Sequence, residues 1–214
     1  MKLARIMNIA FKPLCGFGLS GLVLTAVALM LLILCTAQGA DDETVEVLTI
    51  ADTTGDWGYP SPYSHYSRGP GYIRMSLIFD TLVWKDENGL VPALAESWEY
   101  LADETAYVFH LRDGVTWSDL EPFSAQDVAF TVDYVKDHPY HWVDSSTIES
   151  AEVIDDRTVK ITLTREYAPF LDQVAGTLPI LPEHIYEGVS DPAGFTDGKA
   201  LTGTGPFKLK SYDK

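Results

Sequence analysis

The sequence predicts an α+β fold. Three observations point there: strand-like runs fall in pairs around turn signals, helical patterns are short and scattered, and no strand–helix alternation repeats as in a doubly wound sheet. With 214 residues the chain has room for one domain or two small ones. Its balance of 46% hydrophobic to 21% charged residues is globular rather than disordered.

Val45–Ile50 (VEVLTI) is apolar over strand length and ends in the loop signal Ala51-Asp52-Thr53-Thr54-Gly55. Asp56–Tyr72 (DWGYPSPYSHYSRGPGY) interleaves aromatic residues with proline and glycine, so neither helix nor regular strand is expected to persist through it. Tyr72–Phe79 fits a short helix with Ile73, Leu77 and Ile78 inward. Thr81–Trp84 and Leu90-Val91 flank Asp86-Glu87-Asn88-Gly89, where Asn-Gly signals a hairpin turn.

Ser97–Tyr100 and Thr105–Leu111 form a second hairpin, in which Tyr107, Phe109 and Leu111 alternate with Val108 and His110 as in a half-buried strand. Ser124–Lys136 is the strongest helix. Ser124 caps it, Asp127 sits near the positive end of the helix dipole, and Val128, Thr131, Val132 and Val135 share a face. Ile148–Ile154 and Thr158–Thr164 make a third hairpin around Asp155-Asp156-Arg157. Pro169–Ala175 and Pro182–Tyr186 read as short helices, the latter with Pro182 at its first position, and Phe207–Tyr212 begins a new strand.

The N-terminus differs in kind. Lys2, Arg5 and Lys12 precede Leu14–Cys35, a stretch without a charge, and the small residues Ala37, Gly39 and Ala40 follow. Positive head, apolar middle and small-x-small end make residues 1–39 a secretory signal peptide. The apolar block is long enough to span a bilayer, so a membrane anchor through residues 14–35 is the second reading. Cys35 invites lipidation, but Leu34 before it is not the small residue that such a site wants. Cys15 and Cys35 are the only cysteines and both lie in this block, so the exported part relies on neither disulfide nor thiol.

The formal charge is −16, and the N-terminal block contributes only positive side chains, so the exported part is more acidic still. Such a surface repels nucleic acid and excludes it as a partner. The acids are scattered, which favours solubility over a dedicated cation site.

No catalytic constellation is present. The chain lacks a Gly-x-Ser-x-Gly elbow, a His-Glu-x-x-His pair and a phosphate loop, and no cofactor is implied. His138 and His141 have a spacing that would suit a metal on a helix, but Pro139 between them disfavours helix at His138, so loop histidines are expected and no metal is assigned. The aromatic loop is the most site-like element, because rings held by prolines offer contact area with little entropy to lose. Its rings serve equally well as packing beneath a long loop, and both roles stay open.

Several motifs then fall in a telling order. Leu77-Ile78-Phe79-Asp80-Thr81-Leu82 precedes Val91-Pro92-Ala93-Leu94-Ala95-Glu96-Ser97-Trp98. Phe109-His110-Leu111-Arg112-Asp113-Gly114-Val115-Thr116-Trp117 and Phe123-Ser124-Ala125-Gln126-Asp127-Val128 follow. Asp156-Arg157-Thr158-Val159, Ala168-Pro169-Phe170-Leu171 and Gly203-Thr204-Gly205-Pro206-Phe207 complete the series. Each piece alone is weak. The ordered set resembles the N-terminal part of the family 5 extracellular solute-binding proteins, the peptide, dipeptide and nickel receptors of ABC importers.

The resemblance implies a two-lobed, periplasmic-binding-protein-like (type II) clamshell of which this chain is the N-terminal part, with the second lobe missing. Residues 40–85 would start the first lobe, 86–201 would form the family-specific subdomain, and 202–214 would be a truncated return strand. The implied function is non-enzymatic: an extracytoplasmic receptor, in a truncated copy, handing a peptide, a nickel complex or another small solute to ABC permease subunits in the membrane. The resemblance places ligand contacts after the first strand, on Trp57, Tyr59 and Tyr63. From Ala95 to Thr131 the residues read as structure: Trp98, Tyr107, Phe109, Trp117 and Phe123 as packing, with Arg112 bracing the Asp113-Gly114 turn. A membrane-anchored sensor or interaction ectodomain and a non-functional gene fragment remain as alternatives. A secreted hydrolase is disfavoured for want of a nucleophile or metal motif.

Overall fold

A computed structural model of the chain describes residues 56–66 and 69–212, all within the compact unit Thr54–Lys214. The signal or anchor segment and the strand expected at Val45–Ile50 lie outside the described residues. Among the described residues no helix is long and apolar enough to cross a membrane.

Helix α1 (Gly69–Met75) leads into a hairpin of β1 (Val83–Asp86) and β2 (Gly89–Pro92). Strands β3 (Ala95–Leu101) and β4 (Ala106–Leu111) follow, then helix α2 (Ala125–Asp137), β5 (Ile148–Asp155), β6 (Thr158–Leu163) and the short helix α3 (Glu183–Tyr186). β3 to β6 form one antiparallel sheet in the order β3-β4-β6-β5, and α2 packs on β5 and β6. This is the α+β arrangement that the paired runs predict.

Period-2 alternation places the core. Tyr107, Phe109 and Leu111 of β4 and Val159, Ile161 and Leu163 of β6 are buried, while Val108, His110, Lys160 and Thr162 between them are only half so. The apolar face of α2 (Val128, Val132 and Val135) closes the same core, joined by Trp117, Phe123 and Phe170. Trp98 packs on its rim.

Helix α2 starts where predicted. Ser124 is extended (φ −144°, ψ 175°), its Oγ accepts from Gln126 N at 3.2 Å, and Asp127 Oδ2 accepts from Ser124 N at 2.9 Å, which closes a capping box. Asp127 does more than complement a dipole. It is 5% exposed and also takes Glu183 N at 3.0 Å and Trp117 Nε1 at 3.4 Å, tying α2 to α3 and to the core tryptophan.

Several expectations are corrected. The first helix begins at Gly69, inside the proline- and glycine-rich loop, and ends at Met75; Ile78 is buried as expected, together with Met75 and Phe79, whereas Ile73 is 61% and Leu77 36% exposed. Gly71 sets this frame, because a Cβ there would stand 2.5 Å from Tyr66 O, and Met75, four residues on in the helix, shares its buried face. In the first hairpin Asp86 pairs with Gly89, so the turn centres on Glu87-Asn88 rather than Asn88-Gly89. Asp86 Oδ1 accepts from Asn88 N at 2.7 Å, an Asx turn that supplies the reversal.

Arg112 does not brace the Asp113-Gly114 turn. Its Nε donates to Ala93 O and its Nη2 to Pro92 O, securing the end of β2, and Asp113 pairs instead with Arg157 at 3.3 Å. Residues Leu171–Ala175 form a single π-helical turn that Gly176 caps. Phe207–Tyr212 is not a strand: Phe207 N reaches Leu77 O at 3.1 Å, but no ladder continues from it.

Two distant motif segments meet at one backbone crossing. Gly205 N donates to Ile78 O at 2.8 Å, and Thr204 Oγ1 donates to Asp80 Oδ2 at 3.1 Å. Burial pushes the Asp80 carboxyl above its ordinary range, with the Thr204 hydrogen bond opposing. A Cβ on Gly203 would collide with Ile78 O. Gly203→Ala is therefore expected to cost about 1–3 kcal/mol, the usual penalty of overpacking. A denaturant midpoint indistinguishable from that of the parent chain would contradict the crossing.

Candidate functional site

The aromatic loop is built from its ends inward. Gly58 and His65 form an antiparallel bridge, and Tyr66 N donates to Trp57 O at 2.8 Å. Gly58 takes φ +79° and approaches so closely that a Cβ would lie 2.5 Å from Ser64 O, so a side chain is excluded on both counts. Its amide is held by Asp56 Oδ1 at 2.9 Å. Ser64 Oγ donates to Ala193 O at 2.9 Å, fastening the loop to the segment after α3. Neither Ser64 nor His65 is arranged as a nucleophile–base pair, since each spends its polar atoms on backbone or on another ring.

The three rings expected to meet a ligand are placed differently. Tyr59 lines a surface hollow of about 460 Å³ together with Ser118, Leu201, Lys208, Lys210 and Tyr212. Its ring meets Tyr212 edge-on at 5.6 Å and its hydroxyl donates to Asp197 O at 3.1 Å. Burial, then the Asp197 carboxylate, raises its phenol above the ordinary tyrosine range, so the hydroxyl stays a donor. Trp57 is half-buried beside the bridge.

Tyr63 faces the other way. Its ring packs edge-on against Tyr134 at 6.0 Å and Tyr140 at 5.7 Å, and its hydroxyl donates to His138 O at 2.8 Å. Within the aromatic loop, then, Tyr63 is a packing ring and Tyr59 faces an open hollow.

Sequence reasoning missed the other walls of the hollow. Lys208 donates through Nζ to Ser118 O, and Tyr212 OH donates to Asp56 Oδ1, so the loop meets residues some 150 positions later in the chain. No local pattern could have paired them. The hollow gathers two ammonium groups and two phenols in a chain that is otherwise strongly acidic. Such a set suits a ligand with carboxylate or carbonyl oxygens and an apolar body.

His138 ends α2 and stacks on Tyr134 at 4.2 Å, while His141 is exposed. Among the described residues no group of three or more histidine, cysteine or acidic side chains is placed to hold a metal ion.

Comparison with known proteins decides the family. Residues 89–214 match the model of the bacterial extracellular solute-binding proteins, family 5 (middle region). The chain belongs to family 5. A dipeptide-binding protein of Escherichia coli K12 is 36% identical over 147 residues, which is 58% of this chain and 28% of that protein. Among solved structures, the ABC transporter-associated periplasmic binding protein DppA of Helicobacter pylori, in complex with the peptide STSA, superposes with a TM-score of 0.59 at 30% identity. That match covers 74% of this chain and 36% of the other. NikZ of Campylobacter jejuni, in complex with Ni(L-His), gives 0.58 at 31% identity over 75% and 32%. This family 5 chain therefore spans about a third of the length of the relatives it matches, and its mixed α/β fold corresponds to part of theirs.

Proposed function

We propose that this chain forms part of the extracytoplasmic receptor of an ABC importer and helps to receive a peptide. Membership of family 5 carries the reading, and relatives named for dipeptides and for peptide STSA favour peptides among its solutes. A nickel chelate is the second reading, favoured by the likeness to NikZ with Ni(L-His). Export through residues 1–39 and delivery to membrane-embedded permease subunits belong to the same proposal. The function is binding rather than catalysis.

Trp57 and Tyr59 are the proposed ring contacts. Tyr59 offers its ring to the hollow, and Lys208 and Lys210 stand ready for a carboxylate. Tyr63, expected as a third contact, supports the loop from behind through Tyr134 and Tyr140. The arrangement predicts that Tyr59→Ala weakens peptide binding about tenfold, equivalent to roughly 1.4 kcal/mol. Isothermal titration with di- to tetrapeptides and, separately, with Ni(L-His)-type chelates tests both readings. Heat from chelates but from none of the peptides would transfer the assignment to nickel. Peptide binding unchanged in Tyr59→Ala would remove the hollow from the site.

A further inference from the structure

We propose that His65 is the positioning residue of the aromatic loop, a latch whose uncharged imidazole holds the loop in its ligand-facing form and which releases it on protonation. The inference rests on the loop being the ligand-facing element, but the latch can be tested without any ligand.

His65 sits where the loop closes. Its backbone bridges Gly58, and the next residue, Tyr66, gives its amide to Trp57 O, so one short segment joins both arms. The residue is only 7% exposed. Nδ1 lies 2.9 Å from Tyr66 O and Nε2 lies 3.3 Å from Tyr140 OH. A carbonyl oxygen can only accept, so Nδ1 carries the proton of the neutral ring and Nε2 is left as the acceptor. Tyr140 must then donate. Burial, with Tyr72 and Tyr63 close by, pushes its phenol far up, so its proton stays in place.

A second proton on the ring breaks this pattern. Nε2–H would point at a hydroxyl whose own hydrogen points back, so that hydrogen would have to rotate away and the oxygen turn from donor to acceptor. Among the described residues the new charge would also have no counter-ion. The titratable groups facing the ring there are Tyr72 on α1 and, after α2, Tyr140 and His141, which are two phenols and a second imidazole. Burial lowers the His65 pKa, the Tyr66 carbonyl opposes this, and His141 adds to it. Gly71 lies against the same corner: a Cβ there would lie 3.3 Å from Nδ1 and 2.5 Å from Tyr66 O, so the backbone leaves little room beside the ring. In the latch, relief comes from opening the loop.

The sign follows from linkage. The closed loop prefers the neutral ring, so its pKa lies below the value of about 6.5 in the open chain. The latch is at full strength above about pH 6.5 and is lost as pH falls through the lowered pKa.

The test combines an NMR titration of the histidine Cε1–H signals of the chain with hydrogen exchange at the Tyr66 amide. His65 should titrate below the ordinary histidine value of about 6.5. After correction for intrinsic chemistry, Tyr66 exchange should speed up by as much as about tenfold per pH unit as pH falls from about 6.5 to the lowered midpoint, then level off. His65→Asn keeps a donor near Nδ1 but cannot titrate, so its Tyr66 exchange should be slow and flat with pH. His65→Phe should be fast and flat. A His65 midpoint at or above 6.5, flat exchange in the parent chain, or a pH response retained in His65→Asn would each overturn the latch; if His65→Phe fails to fold, the other two proteins decide.

Discussion

Replacing Phe109 with alanine is expected to remove about 3–5 kcal/mol of stability, the range for emptying a buried aromatic site. The ring is fully buried at the centre of the sheet, between Trp98 on β3 and Val159 on β6 in the strand register. Tyr107 (6.1 Å) and Phe170 (6.4 Å) pack on it. All of those neighbours but Phe170 belong to a sheet whose strands cannot shift without losing their ladders, so the cavity has little freedom to collapse. Against a total stability of 5–15 kcal/mol for a typical domain, that is a large share. Urea denaturation followed by tryptophan fluorescence measures it. Phe109→Leu, which restores most of the volume, should recover more than half of the loss, and equal losses for the two variants would show that the site is not close-packed.

Asp127→Ala is the second large effect, expected at about 3 kcal/mol. One carboxylate accepts from Ser124 N, Glu183 N and Trp117 Nε1, and hydrogen bonds to a charged group contribute about 1.5–3 kcal/mol each, with heavy overlap when they share one acceptor. Removing it frays the start of α2 and frees α3 in the same step. Asp127→Asn keeps one carbonyl oxygen and should cost about half as much. Ser124→Ala touches only the cap and should cost about 1 kcal/mol. Denaturant midpoints order the three variants. If Ser124→Ala proves as damaging as Asp127→Ala, the links to α3 and Trp117 carry nothing and Asp127 is only a cap.

These two residues also show how far the chain could be read in advance. The period-2 pattern around Phe109 identified both its strand and its buried face, because alternation is a purely local consequence of the pleat. Asp127 was legible as a helix-start residue by its spacing from Ser124. Its bonds to Glu183 and Trp117 were not, since nothing in the neighbourhood of 127 encodes who arrives from 56 positions away.

Helix α1 marks the limit from another side. Its apolar residues fit two faces, and the choice fell to Gly71, the one residue small enough to lie against Tyr66. The strand expected at Phe207–Tyr212 likewise had the right composition, but a strand exists only where a partner backbone completes its ladder.

The same division holds for function. The sequence by itself determined the α+β class, the hairpin and helix order and the family, because turn chemistry, periodicity and ordered motifs are all written locally. Only the tertiary structure decided where Tyr59, Tyr63 and His65 of the aromatic loop point. Tyr59 turns to a hollow shared with Lys208 and Tyr212, Tyr63 turns to Tyr134 and Tyr140, and His65 turns inward to close the loop. The physical reason is that a proline- and glycine-rich loop has no period of its own, so the direction of each side chain is set by the distant segments that pack against it.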